Sequence, residues 1–174
     1  MVLCPQKAIT EKPREIGFVE TGKSNDVTVL TGCLNTGEVS GVPVIKALLQ
    51  KIDESKNTII DCPPGSACVV MESIRKADYC ILVAEPTLFG VHNFQMVYEL
   101  VKQFKKPYGA VLNKCQDGDN PAENFCIENR IPILAKFPYN DELAKINSNG
   151  LIATRENEAY AEKFRQLLSG TFIF

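Results

Sequence analysis

What this chain lacks narrows its function before any motif is read. No apolar run approaches the roughly 20 residues that a helix needs to cross a bilayer, and residues 1–12 hold no apolar signal-peptide segment. A cytoplasmic protein without a membrane span is expected. Clustered basic charge is also missing. With a net charge of −2, a pI near 5.5 and nothing denser than the pairs Lys105-Lys106 and Arg75-Lys76, the chain cannot neutralise a run of phosphates, which argues against a nucleic-acid partner. Histidine occurs once, at His92, and reads as a helix-start residue rather than a catalytic base. Cysteine does not come in pairs: seven are spread singly at 4, 33, 62, 68, 80, 115 and 126. An odd count without a secretory signal argues against a disulfide framework.

What remains is ample for a folded core. At 174 residues, 45% hydrophobic and 23% charged, the chain reads as a single α/β domain over 1–174 that buries roughly two-thirds or more of its unfolded surface. Cys80 lies in an apolar run and Cys126 in a helical stretch, so both read as small buried hydrophobes. Cys4, Cys62, Cys68 and Cys115 stand at strand or motif edges, where thiol chemistry would matter.

From residue 57 onward, strand-like apolar runs alternate with helical periodicity, the pattern of an α/β fold with a mainly parallel sheet. The strands are expected at 58–61, 79–84, 108–113 and 131–137, all parallel. The clearest helix is 92–105, where Phe94, Val97, Tyr98, Val101 and Phe104 share one face and read as core packing. An earlier helix opens at Pro43 and is expected to bury Ile45, Leu48, Leu49 and Ile52. Two more close the chain near 141–147 and 156–168, with Gly150 and Gly170 as stop signals.

The run Thr58-Ile59-Ile60-Asp61-Cys62-Pro63-Pro64-Gly65 reads as a buried strand delivering a carboxylate to a phosphate site. Ligands of parallel sheets collect at the carboxyl ends of strands. Asp61 would hold Mg²⁺ directly or through water, with the Gly65 N–H facing a terminal phosphate. An acid ending a strand before a proline turn accounts for the same residues.

The first forty residues differ. Strand character at 15–20 and 27–31, with polar Thr21-Gly22-Lys23-Ser24-Asn25-Asp26 between, predicts a β-hairpin over 14–32. Gly17-Phe18-Val19-Glu20-Thr21-Gly22-Lys23-Ser24 matches the phosphate-loop pattern G-x-x-x-x-G-K-[ST] letter for letter. A working loop follows a buried strand and opens a helix. Here polar residues precede it and β-branched Val27-Thr28-Val29 follow, so the match reads as accidental. A complete small nucleotidase or kinase using Gly17–Ser24 is the alternative.

Seven ordered pieces together carry a resemblance. Cys4-Pro5 with Ala8-Ile9, Arg14-Glu15-Ile16-Gly17, Gly32-Cys33-Leu34-Asn35-Thr36-Gly37-Glu38, Asp61 through Cys68, Glu85-Pro86-Thr87-Leu88-Phe89-Gly90, Leu112-Asn113-Lys114 and Phe137-Pro138-Tyr139 are similar to the MinD superfamily of P-loop ATPases, in the subgroup with an inserted ferredoxin domain. The resemblance implies a three-layer sandwich, P-loop NTPase-like but incomplete. The chain would be the C-terminal part of a longer protein, with 1–13 a remnant of the insertion, a hairpin at 14–32 and alternating helix and strand over 41–170.

The resemblance also implies roles. Asp61 is the switch carboxylate near Mg²⁺ and the attacking water, and Gly65 the hinge that senses the terminal phosphate. Asn113 reads adenine, with Lys114 beside it as a further nucleotide-binding residue, and Pro138 and its neighbours wall the base; a strand-end Asn satisfying a turn is the alternative for Asn113. Asn93 stands where relatives commonly carry an acid. Cys4 would be the last ligand of a C-x-x-C-x-x-C-x-x-x-C-P cluster run, and Cys68 a second possible iron–sulfur ligand, shared across a homodimer. Against these stand a terminal thiol at Cys4 and a helix-start filler at Cys68. The intact protein would bind ATP and Mg²⁺, carry an iron–sulfur cluster in the insertion and couple hydrolysis to cluster handling or electron transfer with a redox or iron–sulfur partner. The chain alone is expected to hold no cofactor and to be inactive. A non-catalytic protein-interaction module is the alternative from another class.

Overall fold

The computed structural model describes residue 8 and residues 12–171. The chain divides into two compact units, Met1–Asp61 and Cys62–Phe174.

In the first unit, β1 (Gly17–Ser24) pairs antiparallel with β2 (Val27–Leu34), from Gly17 opposite Leu34 to Ser24 opposite Val27. The turn is Asn25-Asp26 alone. Asn25 takes φ 53°, a left-handed conformation that asparagine tolerates. The hairpin is thus present, with longer strands and a shorter turn than expected, because Thr21 to Ser24 gain ladder partners in Val27 to Leu30 that their turn propensity does not foreshadow. Helix α1 (Val42–Leu49) places Pro43 in its first turn, where no N–H is needed. It buries Val44 and Leu49, leaving Ile45, Leu48 and Ile52 half-buried. Its approach requires Gly32, since a Cβ there would lie 2.8 Å from the Val44 side chain.

Residues 58–61, expected as a strand, form none. A strand exists through its ladder, and β-branching favours extended backbone without supplying a partner. Among the described residues 58–61 has no ladder partner, and Ile59 is 78% exposed.

The second unit runs α2 (Cys68–Lys76), β3 (Cys80–Ala84), α3 (Leu88–Gln103), β4 (Tyr108–Cys115), α4 (Pro121–Glu128), β5 (Ile133–Pro138), α5 (Asp141–Ser148), α6 (Ala153–Glu156) and α7 (Glu158–Thr171). The three strands form a parallel sheet in the order β3-β4-β5. On one face Cys80, Leu82 and Ala84 of β3 with Ala110 and Leu112 of β4 form a core with Val70 and Ile74 of α2, Phe94, Tyr98 and Val101 of α3, and Ala122 and Cys126 of α4. Phe94 and Tyr98 both meet Phe125 edge-on, at 5.8 and 5.9 Å between ring centroids, the geometry that aromatic quadrupoles favour. Strand alternation sends Phe137 to the opposite face, where it lies 5.2 Å from Phe164 of α7. Helices therefore lie on both faces, although the second face is open at β3, where Ile81 and Val83 are exposed.

The expected helix 92–105 keeps its buried stripe but starts earlier. The Thr87 hydroxyl oxygen accepts from the Gly90 N–H at 2.9 Å, an N-cap that fixes the start at Leu88. His92 is consequently an exposed residue of the second turn rather than a helix-start residue. Gly150, at φ 69°, lies just past the end of α5 as expected. Gly170 does not stop α7, which runs through it to Thr171. No described helix is long and apolar enough to cross a membrane.

Burial separates the thiols. Cys80 and Cys126 lie in the core, whereas Cys62 and Cys68 are exposed. Burial raises the Cys80 thiol and pushes that of Cys126 up to about 11, so neither forms the reactive thiolate at neutral pH. Brief alkylation followed by mass spectrometry should modify Cys68 at least about 100-fold faster than Cys126, as expected if opening the core costs about 3 kcal/mol. Comparable rates would contradict this packing.

Candidate functional site at the carboxyl edge of the parallel sheet

Each strand of the second unit places its candidate residues at its carboxyl end, because a parallel sheet aligns those ends along one edge. Glu85 follows the last residue of β3, Asn113 and Lys114 close β4, and Pro138 closes β5. Cys115 pairs with Pro138, and the Tyr139 N–H donates to the Cys115 carbonyl at 2.9 Å. Asn113, Lys114 and Pro138, singled out separately in the sequence, thus come together on neighbouring strands.

The middle of this edge is irregular. From Leu112 to Cys115 β4 advances three residues while β5 advances two, Lys136 to Pro138, so β4 carries one extra residue. That is the arithmetic of a bulge. Within it, Lys114 takes φ 56°. Its ammonium lies 2.7 Å from a Glu85 carboxylate oxygen, linking the ends of β3 and β4. Glu85 raises the Lys114 pKa through that hydrogen bond and its charge. This contribution to stability is full below the ordinary lysine value and is lost as pH rises through the raised one. Both side chains are about half exposed (54% and 46%), so the tie is an orienting contact more than a large stabilising one.

The Asn113 carboxamide is half-buried and has no hydrogen-bond partner among the described residues. A carboxamide can donate and accept in one plane, which suits the edge of a purine base. Beside it the Tyr139 ring is 54% exposed. The Asp141 carboxylate raises its hydroxyl pKa, with Lys114 pulling weakly the other way. Glu85 and the bulge were assigned no role from the sequence, whereas Tyr139, next to Pro138, falls among the neighbours expected to wall the base. The only signal was the turn Glu85-Pro86-Thr87 directly after a strand, because left-handed backbone at a lysine leaves no compositional trace.

The remaining sequence candidates lie elsewhere. Asp61 is exposed and ends the first unit. Gly65, in the second unit, takes φ 92° with open space where a Cβ would project. Cys68 is the first residue of α2, exposed rather than filling a space, and Cys4 lies outside the described residues. Among the described residues no group of three or more His, Cys, Asp or Glu side chains could hold a metal ion. Cys68 alone does not fit an iron–sulfur cluster, which takes four protein ligands. A lone carboxylate such as Asp61 does fit Mg²⁺, an ion that keeps several waters and takes most other ligands from phosphate. Gly17–Ser24 is β1 itself, paired along its length with β2, so the letter match contains neither the loop nor the helix start that phosphate binding uses. A shallow groove of about 420 Å³ lies along α3, lined by Ser66, His92, Gln95, Met96, Glu99, Leu100 and Gln103. It is a solvated helix face and shares no residue with the sheet edge.

No protein-family model matches the chain. It is 31% identical over 109 residues to the uncharacterized protein MJ0579 of Methanocaldococcus jannaschii, covering 61% of this chain and 40% of that one. It is 24% identical over 156 residues to the uncharacterized protein MJ0578 of the same organism, covering 88% of this chain and 54% of that one. The chain thus spans about half the length of the curated relatives it matches.

Proposed function

We propose that this chain is part of a MinD-like nucleotide-binding ATPase with a P-loop-like, three-layer fold, and that its sheet edge holds the adenine base of ATP. The observation that supports this most is the meeting of Asn113, with its unpartnered carboxamide, and Pro138 on adjacent strand ends. Asn113 hydrogen-bonds the base edge and Pro138 walls one side of it. Asp61 orders Mg²⁺ and the attacking water, and Gly65 supplies the hinge that responds to the terminal phosphate. ATP and Mg²⁺ supply the phosphoryl chemistry when bound, and this chain's residues position and discriminate. The whole protein, acting as a homodimer, couples hydrolysis to iron–sulfur cluster handling or electron transfer with a redox partner.

The test is competition binding of ATP and GTP against a fluorescent ATP analogue. Wild-type protein should prefer ATP, and Asn113→Ala should lose about 1 to 3 kcal/mol of that preference, the range for paired amide contacts to a base. An unchanged ratio in Asn113→Ala would remove it from the site.

A further inference from the structure

Four non-glycine residues among the described ones have left-handed backbone: Asn25, Lys105, Lys114 and Arg130. Three have local explanations. Asn25 forms the hairpin turn, and Lys105 and Arg130 directly follow the C-caps of α3 and α4, where such a residue commonly ends a helix. Lys114 differs, for it lies inside a strand, at the bulge next to Asn113. A lysine held there is strained by its Cβ. Such strain persists where the surroundings enforce it, and functional sites are where it concentrates.

We infer that Lys114 is the positioning residue for Asn113, acting through its left-handed backbone rather than through direct contact with a ligand. This rests on the adenine-site reading above. A bulge re-aims the side chains around its extra residue. In a regular ladder β4 and β5 would advance together past Leu112 and Lys136; the extra residue breaks that register at Asn113. The carboxamide there has no protein partner to hold it, so its orientation depends on the backbone on either side. Ala84 pairs with Leu112 before the bulge, and Tyr139 N–H bonds to the Cys115 carbonyl after it. Between those two anchors the Lys114 conformation is the feature that sets the Asn113 backbone. The Glu85 contact occupies the lysine ammonium at 2.7 Å, which draws the charge toward β3 and marks the side chain as part of the scaffold.

Backbone and side-chain roles predict opposite results for glycine. Lys114→Gly removes the ammonium but adopts positive φ freely, and Lys114→Asn does so nearly as well. Lys114→Val opposes that conformation. The ATP-to-GTP affinity ratio should stay within about twofold of wild type in Lys114→Gly and Lys114→Asn, and should fall in Lys114→Val as far as in Asn113→Ala, by about fivefold or more. If Lys114→Val does not fold, Lys114→Ala, which also disfavours positive φ, carries the same predicted direction. A ratio lost in Lys114→Gly as in Lys114→Val would overturn the inference, because the side chain would then be acting directly. A ratio kept in the folded Val or Ala variant while Asn113→Ala loses it would also overturn it, leaving the adenine site intact. A wild-type protein with no preference for ATP would remove the adenine reading and this inference together.

Discussion

Under the proposed function, Asp61→Asn in the whole protein should lower ATP turnover by about 100-fold or more, while ATP affinity changes little. The substitution keeps the shape of the side chain and removes its charge. In the proposed role that charge would organise Mg²⁺ and the attacking water, so its loss should fall on the chemical step rather than on nucleotide binding. Removing a single preorganised group that stabilises a transition state costs about 10²–10³ in rate in other enzymes. The Asp61 carboxylate is exposed and has no hydrogen-bond or ion-pair partner among the described residues, so the substitution breaks no contact there and should not perturb folding. A phosphate-release assay with parallel affinity measurements separates the two effects. Turnover equal to wild type would take Asp61 out of the mechanism.

The largest stability effect should come from Leu112→Ala, at about 2 to 5 kcal/mol, the range for emptying a leucine-sized space in a close-packed core. Leu112 is fully buried in the middle strand, next to Ala84 of β3 and Lys136 of β5 in the ladder. It also directly precedes Asn113, so the same residue holds the core and the base of the site. Val83→Ala is the control. Val83 is 61% exposed on the sheet face away from the core and should cost less than about 1 kcal/mol. The chain has no tryptophan, so urea unfolding followed by circular dichroism is the suitable measurement. Equal costs for the two variants would mean that the sheet is packed differently.

Much of this arrangement was legible from periodicity. Phe94, Tyr98 and Val101 mark the buried face of α3, and the alternation of apolar runs with helical stretches identifies β3, β4 and β5 as strands. In a parallel sheet those assignments bring residues at strand ends to one edge, so Asn113 and Pro138 could be expected near each other. What failed depended on partners that local sequence does not reveal. Residues 58–61 have strand composition without a ladder among the described residues, and Thr21 to Ser24 have turn composition but gain a ladder from β2. The start of α3 was missed because the signal was a cap at Thr87, not the hydrophobic stripe. The bulge was illegible for a further reason: lysine is not a residue that signals positive φ, and its conformation is imposed by pairing on both sides.

The proposed function places a nucleotide at the carboxyl edge of β3, β4 and β5. The most direct measurement is a titration of the ¹⁵N-labelled whole protein with Mg²⁺-ATP, following the backbone amides and the Asn113 side-chain amide. Shifts should concentrate at Glu85, Asn113, Lys114 and Tyr139, with Gly17–Ser24 unmoved and Lys23→Ala leaving the pattern unchanged. Shifts centred on Gly17–Ser24 and abolished by Lys23→Ala, with Asn113 and Lys114 silent, would contradict it.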